Sequence, residues 1–318
     1  GQAVSELAEM RRIIARVASD YGVAPIAAST HPFAQWDAQK HTRKERYDDL
    51  ARDMQAVVRR LLICGMHVHC GLDDDELRID LMQQMSYFLP HLLALSTSSP
   101  FWRGEVTGLK CYRLSLFHEL PRTGLPENCV SYDEYRRRLD GMISAGLLQD
   151  GAKIWWDLSP SARFPTLEML IADICTDVDD SGSIAAIYVS LMRMLYMLKR
   201  NNQRWRKYSN MLIDENRWRA QRYGIDEGLV DFGRGEVVPY RDLLEEIIEL
   251  TAEHAEALGC LKEVEHARDI IHRGTSAHRQ LEIFNQACYD GADKQEALKK
   301  VVDFLIEQSV PPERSALI

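Results

Sequence analysis

The 318-residue sequence has no C-x-x-C pair, although it holds seven cysteines: Cys64, Cys70, Cys111, Cys129, Cys175, Cys260 and Cys288. An odd, scattered set excludes a zinc knuckle and argues against a disulfide framework, and it suggests a reducing, cytoplasmic setting. No apolar run approaches the ~18–20 residues of a membrane span. The longest mostly apolar stretches, residues 61–66 and 92–95, suit a core, so no membrane partner is expected. No cationic, apolar leader follows Gly1. There is no G-x-x-x-x-G-K-[ST], no G-x-G-x-x-G, no H-E-x-x-H and no G-x-S-x-G. P-loop, Rossmann, zincin and α/β-hydrolase readings therefore have no support. Positive charge is also short: 39 Lys+Arg against 48 Asp+Glu leave a net charge of −9. That balance argues against a nucleic-acid partner, which would need a basic face. Neither an internal repeat nor a low-complexity tract interrupts the chain, and no linker stands out.

What is present is ordinary globular material, 46% hydrophobic and 27% charged. The length allows one large or two small domains with ample chain for a core. Apolar periodicity predicts helices over residues 4–21, 44–62, 77–96, 132–145 and 184–198, with Pro90 a kink in the third. Three or four more are expected between residues 240 and 309. Strand patterns occupy residues 23–28, 63–71, 110–116, 153–158 and 165–174. Residues 29–33, 98–108 and 121–126 read as loops, and 179–183 as a polar turn. Strands and helices do not alternate tightly enough for a doubly wound parallel sheet. An α+β domain, with an antiparallel sheet covered by helices, fits better.

Four groups of residues have a spacing suited to chemistry. In Cys64–Gly71 (C-G-M-H-V-H-C-G) strand alternation points His67 and His69 one way and Met66, Val68 and Cys70 the other. Two imidazoles aimed at one space can bind a metal or a phosphate; two hydrogen-bonded histidines on a half-buried strand are the plain alternative. Glu168 interrupts an apolar strand, where a carboxylate must be paired, metal-bound or shifted in pKa, unless it sits on an edge facing water. Its face-mates are Thr166, Leu170 and Ala172. Trp155, Asp157 and Ser159 would share a face, with Asp157 orienting a cation or serving as a structural strand-end acid. Residues 201–224 interleave Arg204, Arg206, Lys207, Arg217, Arg219 and Arg222 with Trp205, Trp218 and Tyr223. In an acidic chain this is a local anion site or a solvated basic face rather than a nucleic-acid surface. Arg113 and Arg122 form a smaller group of the same kind.

Taken together, eight ordered segments resemble one family. They are T-H-P-F-A-Q-W at 30–36, G-M-H-V-H-C-G at 65–71, F-L-P-H-L-L-A-L-S at 88–96 and S-P-F-W-R-G at 99–104. L-P-R-T-G-L-P at 120–126, I-W-W-D at 154–157, F-P-T-L-E at 164–168 and E-N-R-W-R-A-Q-R-Y-G at 215–224 complete the set. Over nearly the whole chain it is similar to the carboxylate–amine ligases of the glutamate–cysteine ligase type 2 family. The resemblance implies a single catalytic domain over residues 1–318 with a glutamine-synthetase-like fold, a curved antiparallel sheet forming a funnel covered by helices.

It also implies ATP and Mg²⁺ as cofactors, and small-molecule carboxylate and amine substrates such as amino acids. The amide would form through an acyl phosphate, in a cytoplasmic enzyme for which a homodimer is the default. Glu168 then becomes a catalytic residue and metal ligand, His67 a catalytic group and second metal ligand near the phosphate, and His69 a substrate contact. Arg113, Arg217 and Arg222 become phosphate or carboxylate clamps, and Asp157 a further binding residue. Three departures stand out. The acidic N-terminal strands of the family are expected upstream of Gly1. Ser159 and Leu170 stand where the family pattern has Arg, an exchange that is not conservative, and Asp177 stands at a third such position. An active ligase and a ligase fold that has lost catalysis and serves as a binding or regulatory protein are therefore both carried forward. A metal-dependent hydrolase built on the H-x-H strand lacks further ligands at suitable spacing.

Overall fold

The structure, a computed structural model, describes residues 1–39, 57 and 60–312. The helix expected over residues 44–62 lies almost wholly outside them. In chain order the elements are α1 (Gln2–Ser19), β1 (Val68–Gly71), α2 (Asp75–Met85), α3 (Leu89–Ser96), β2 (Phe101–Trp102), β3 (Glu105–Val106), α4 (Arg113–Phe117), β4 (Thr123–Gly124), α5 (Tyr132–Ser144), β5 (Trp155–Trp156), β6 (Leu158–Pro160) and β7 (Thr166–Met169). There follow α6 (Val178–Arg200), α7 (Asn210–Tyr223), β8 (Leu229–Asp231), β9 (Glu236–Val238), α8 (Tyr240–Ala257), α9 (Leu261–Glu265), α10 (Ala267–Arg273), α11 (Ser276–Tyr289) and α12 (Lys294–Ser309). The class is α+β, with small sheets embedded among helices.

The sheet that organises the molecule is antiparallel, in the order β1–β7–β6. Its back face carries Leu158, Leu167 and Met169, all fully buried, against α2 and α6. Burying such side chains contributes roughly 1.5–3 kcal/mol each. The Tyr188 hydroxyl of α6 donates to the Leu167 carbonyl at 2.9 Å, which fixes helix to strand. Among the described residues α6 alone is long and apolar enough to cross a membrane, but most of its apolar window is buried inside the protein, as a core helix requires.

Several local expectations change for identifiable reasons. Residues 179–183 are the first turn of α6: Asp177 caps it by accepting from the Asp179 amide at 2.9 Å, and the acidic run favours the positive end of the helix dipole. Pro90 falls in the first turn of α3, where its missing N–H costs nothing, so residues 77–96 split into two helices around a 3₁₀ turn. Residues 110–116 form only one bridge, Cys111 to Ser99, before α4 begins. There the Lys110 and Cys111 amides both donate to the Gln221 carbonyl, at 2.9 and 3.1 Å, instead of to a strand. Residues 23–28 are likewise held by side chains: the Ala27 amide donates to Ser309 Oγ and its carbonyl accepts from Thr176 Oγ1. The C-terminal part holds five helices rather than three or four, because Gly259 and Gly274, at φ +68° and +84°, end α8 and α10.

Candidate active site

Antiparallel register places His69, Glu168 and Ser159 in one row across the sheet, with Glu168 directly opposite both neighbours. Because Leu158, Met169 and Val68 form the next row and face the core, the His69–Glu168–Ser159 row faces outward. It lines a cleft of about 300 Å³ together with His67, Arg163 and Leu170.

Within the cleft Glu168 Oε1 lies 2.9 Å from His67 Nδ1 and 3.4 Å from His69 Nε2. An ionised carboxylate only accepts, so His67 Nδ1 carries the proton, which leaves Nε2 as its remaining nitrogen. His69 Nδ1 meets Thr166 Oγ1 at 2.9 Å, and Phe164 stands edge-on to its ring at 6.1 Å. The hydrogen bond from His67, with electrostatic attraction from the two imidazoles, holds the Glu168 carboxyl below the usual carboxylate range despite its partial burial. The cleft therefore presents a carboxylate kept ionised and oriented by two histidines.

Other residues expected at the site are placed elsewhere. Asp157 was expected on one face with Trp155 and Ser159. The backbone instead bends at Asp157, whose carbonyl accepts both the Leu170 and Ile171 amides, at 2.8 and 3.2 Å, a bulge-like interruption of alternation. Trp155 and Ser159 line the cleft, while the Asp157 carboxylate is buried in a two-pronged pair with Arg217. Arg217 Nε lies 2.6 Å from Oδ2, and Nη2 3.2 Å from Oδ1. Arg217 thus ties α7 to the β5–β6 bend instead of clamping a substrate in this cleft.

Arg113 is also buried, with Nε 2.7 Å from Asp173 Oδ1. Its Nη2 donates to the carbonyls of Leu170, Ile171 and Ala172, at 3.2, 2.6 and 3.0 Å. Arg222 donates to the Gly108 carbonyl and lies over the Tyr223 ring. Within the basic segment Arg204 likewise reaches Asp80 and Arg219 reaches the Gly228 carbonyl.

Of the residues singled out in the sequence, the structure brings His67, His69 and Glu168 together and sets Arg113, Asp157, Arg217 and Arg222 outside the cleft lining. Arg163, on the loop between β6 and β7, went unnoticed, and Phe164 was read only as part of the F-P-T-L-E segment. The only sequence signal of Arg163 is its place in the S-A-R-F-P run immediately before the T-L-E strand.

Mg²⁺ prefers oxygen ligands and commonly uses one or two carboxylates plus substrate phosphates. Among the described residues no group of three or more His, Cys, Asp or Glu is arranged to hold a metal ion. The cleft fits Mg²⁺ only in the mode where Glu168 is the protein ligand and phosphate oxygens supply others.

The sequence model described as Glutamate-cysteine ligase family 2 (GCS2) matches residues 1–303. The chain belongs to the glutamate–cysteine ligase type 2 family. Members of this family are enzymes that form a carbon–nitrogen bond. A protein of Rhodospirillum rubrum, provisionally named glutamate–cysteine ligase 2, is 62% identical over 98% of this chain and 80% of its own length. A Jannaschia protein with the same provisional name is 52% identical over 95% of this chain and 80% of its own. Two solved structures share the fold at a TM-score of 0.60. A glutamate–cysteine ligase from Francisella tularensis, in complex with AMP, is 13% identical, over 92% of this chain and 74% of that one. A bifunctional glutathione synthetase from Pasteurella multocida is 12% identical, over 90% of this chain and 42% of that one.

Proposed function

We propose that this chain is an ATP-dependent ligase that joins an amino-acid carboxylate to an amine, with glutamate and cysteine the leading pair. A substrate carboxylate oxygen attacks the γ-phosphorus of ATP, forming an acyl phosphate and releasing ADP. The amine nitrogen then attacks the acyl carbon, and the tetrahedral intermediate expels phosphate to leave the amide. Such chemistry depends mainly on positioning and on neutralising phosphoryl charge.

The observation that carries the reading is the ionised Glu168, held between His67 and His69 on the open face of the sheet. Glu168 would be the residue that holds Mg²⁺ there, and the ion would supply neutralisation of phosphoryl charge. The His67 hydrogen bond keeps Glu168 ionised and aimed into the cleft. His69, fixed by Thr166 and Phe164, approaches the same carboxylate oxygen, Oε1, at 3.4 Å. The fold shared with a ligase that was crystallised with AMP supports nucleotide use, and seven unpaired thiols support a cytoplasmic enzyme.

The test is ADP release from ATP and Mg²⁺ with glutamate and cysteine supplied singly and together. Release that requires both, with a dipeptide product by mass spectrometry, is expected. No release across a panel of amino acids would overturn the proposal.

One observation favours a second reading, a ligase fold that binds ligand without turnover. Ser159 and Leu170 both line the cleft, at positions where the family resemblance implies guanidiniums. Calorimetric binding of Mg-ATP without ADP release would carry that reading.

A further inference from the structure

The loop between β6 and β7 overhangs the candidate site. Its backbone is pinned: the Ser161 amide donates to the Thr166 carbonyl at 3.0 Å, and the Thr166 amide to the Phe164 carbonyl at 2.7 Å. The Leu72 amide anchors its far end through the Pro165 carbonyl at 2.8 Å. Phe164, at the tip, contacts His69. From this fixed loop Arg163 lines the cleft beside His67, His69 and Glu168.

Arg163 is the only arginine or lysine among the described residues lining that cleft. Its backbone amide bonds Ser161 Oγ, but its guanidinium has no hydrogen-bond or ion-pair partner among the described residues. The other arginines considered are engaged: Arg113 with Asp173, Arg217 with Asp157, and Arg222 with a carbonyl. A fixed backbone under a free guanidinium is the arrangement expected of a ligand contact whose partner is an oxyanion, because guanidinium meets carboxylate or phosphate with two parallel N–H donors. A carboxylate ligase also brings several anionic groups into one cleft of a protein whose net charge is −9, so a local cation is required there.

We infer that Arg163 is the anion-recognising residue of this cleft. It would bind either the non-reacting carboxylate of the acid substrate or the phosphates of the nucleotide, and so set substrate affinity. The inference rests on the ligase reading for its substrates, but its geometry is independent of turnover.

The test is calorimetric titration of the wild type, Arg163→Ala and Arg163→Lys with L-glutamate and, separately, with Mg-ATP, alongside steady-state KM values. Loss of a charge-assisted bidentate contact should weaken at least one ligand by about ten- to hundredfold. A loss confined to glutamate identifies the carboxylate, and one confined to Mg-ATP identifies the phosphates. Arg163→Lys should recover part of the loss, since it restores charge without the fork. The melting temperature should stay within a few degrees, because the side chain is exposed.

Unchanged binding of both ligands by Arg163→Ala, or no binding of either by the wild type, overturns the inference. The two proposals fail separately. Binding lost in Arg163→Ala while the wild type forms no amide sinks the ligase reading alone. Amide formation with unchanged KM values sinks Arg163 alone.

Discussion

Arg113 Nε donates to Asp173 Oδ1 at 2.7 Å, with the two side chains 3% and 0% exposed. Asp173 is saturated around this pair. It also accepts from the Ser98 amide, Ser99 Oγ and Cys111 Sγ. Its pairing partner across a single β-bridge is Gly65, two residues before His67. The pair therefore fixes the end of the chain segment that presents the site. Removing one partner would strand a buried charge, which costs about 3–5 kcal/mol. Asp173→Ala should lower stability by that amount in urea titration. An unchanged midpoint would mean that the network is not what holds the sheet's end.

Gly65 matters for the same reason. A Cβ added there would lie 2.7 Å from Arg113 Nη1. A free arginine could swing aside, but this one is held by Asp173 and three carbonyls. Gly65→Ala should therefore destabilise by about 1–3 kcal/mol, as overpacking does. Thermal melts of Gly65→Ala and Gly71→Ala give the contrast, since a Cβ at Gly71 meets nothing within 4 Å.

Glu168 sets a pH dependence with a definite sign. Its folded-state pKa lies below its ordinary value, through the His67 hydrogen bond and the electrostatic attraction of the two imidazoles. The stability it contributes is therefore fully present above the unfolded-state pKa of ~4.3 and is lost as pH falls through the lower folded-state value. Glu168→Gln keeps the shape and removes the charge. Melting temperatures of wild type and Glu168→Gln should differ above about pH 5 and converge below about pH 4. A gap that persists into acid would show that the carboxylate charge is not what is stabilised.

How far the sequence could be read depended on whether a residue's surroundings were local. His67, His69 and Glu168 were legible together because two-residue alternation decides which face a strand residue takes, and the T-L-E and H-V-H strands do pair. Asp157 was not legible. Its place depends on a bend in which one carbonyl takes two amides, and no periodicity encodes that. The acidic run at 179–183 reads equally as a turn or as the first turn of a helix until Asp177 is seen capping it. The arginines failed for a further reason. Residue type shows that Arg113 and Arg217 seek anions or carbonyls, but not whether these belong to a substrate or to the protein. Arg163 was overlooked because nothing about a lone arginine in a loop says that its neighbours leave it unpaired.

The last prediction links the His67–Glu168 hydrogen bond to rate. If Glu168 must be ionised to hold a cation beside the phosphates, Glu168→Gln should reduce ADP release by about 10²-fold or more, the scale of losing one preorganised electrostatic group. His67→Ala should act differently, because it leaves the carboxylate and removes what depresses its pKa. The Glu168 carboxyl then rises toward its ordinary value, so the acid limb of the kcat/KM profile moves to higher pH. Near neutrality Glu168 is still ionised, and the remaining loss reflects poorer orientation. Profiles from pH 4 to 8 for wild type, His67→Ala and His67→Gln separate the two effects. An acid limb that stays in place in His67→Ala would assign it to some group other than Glu168.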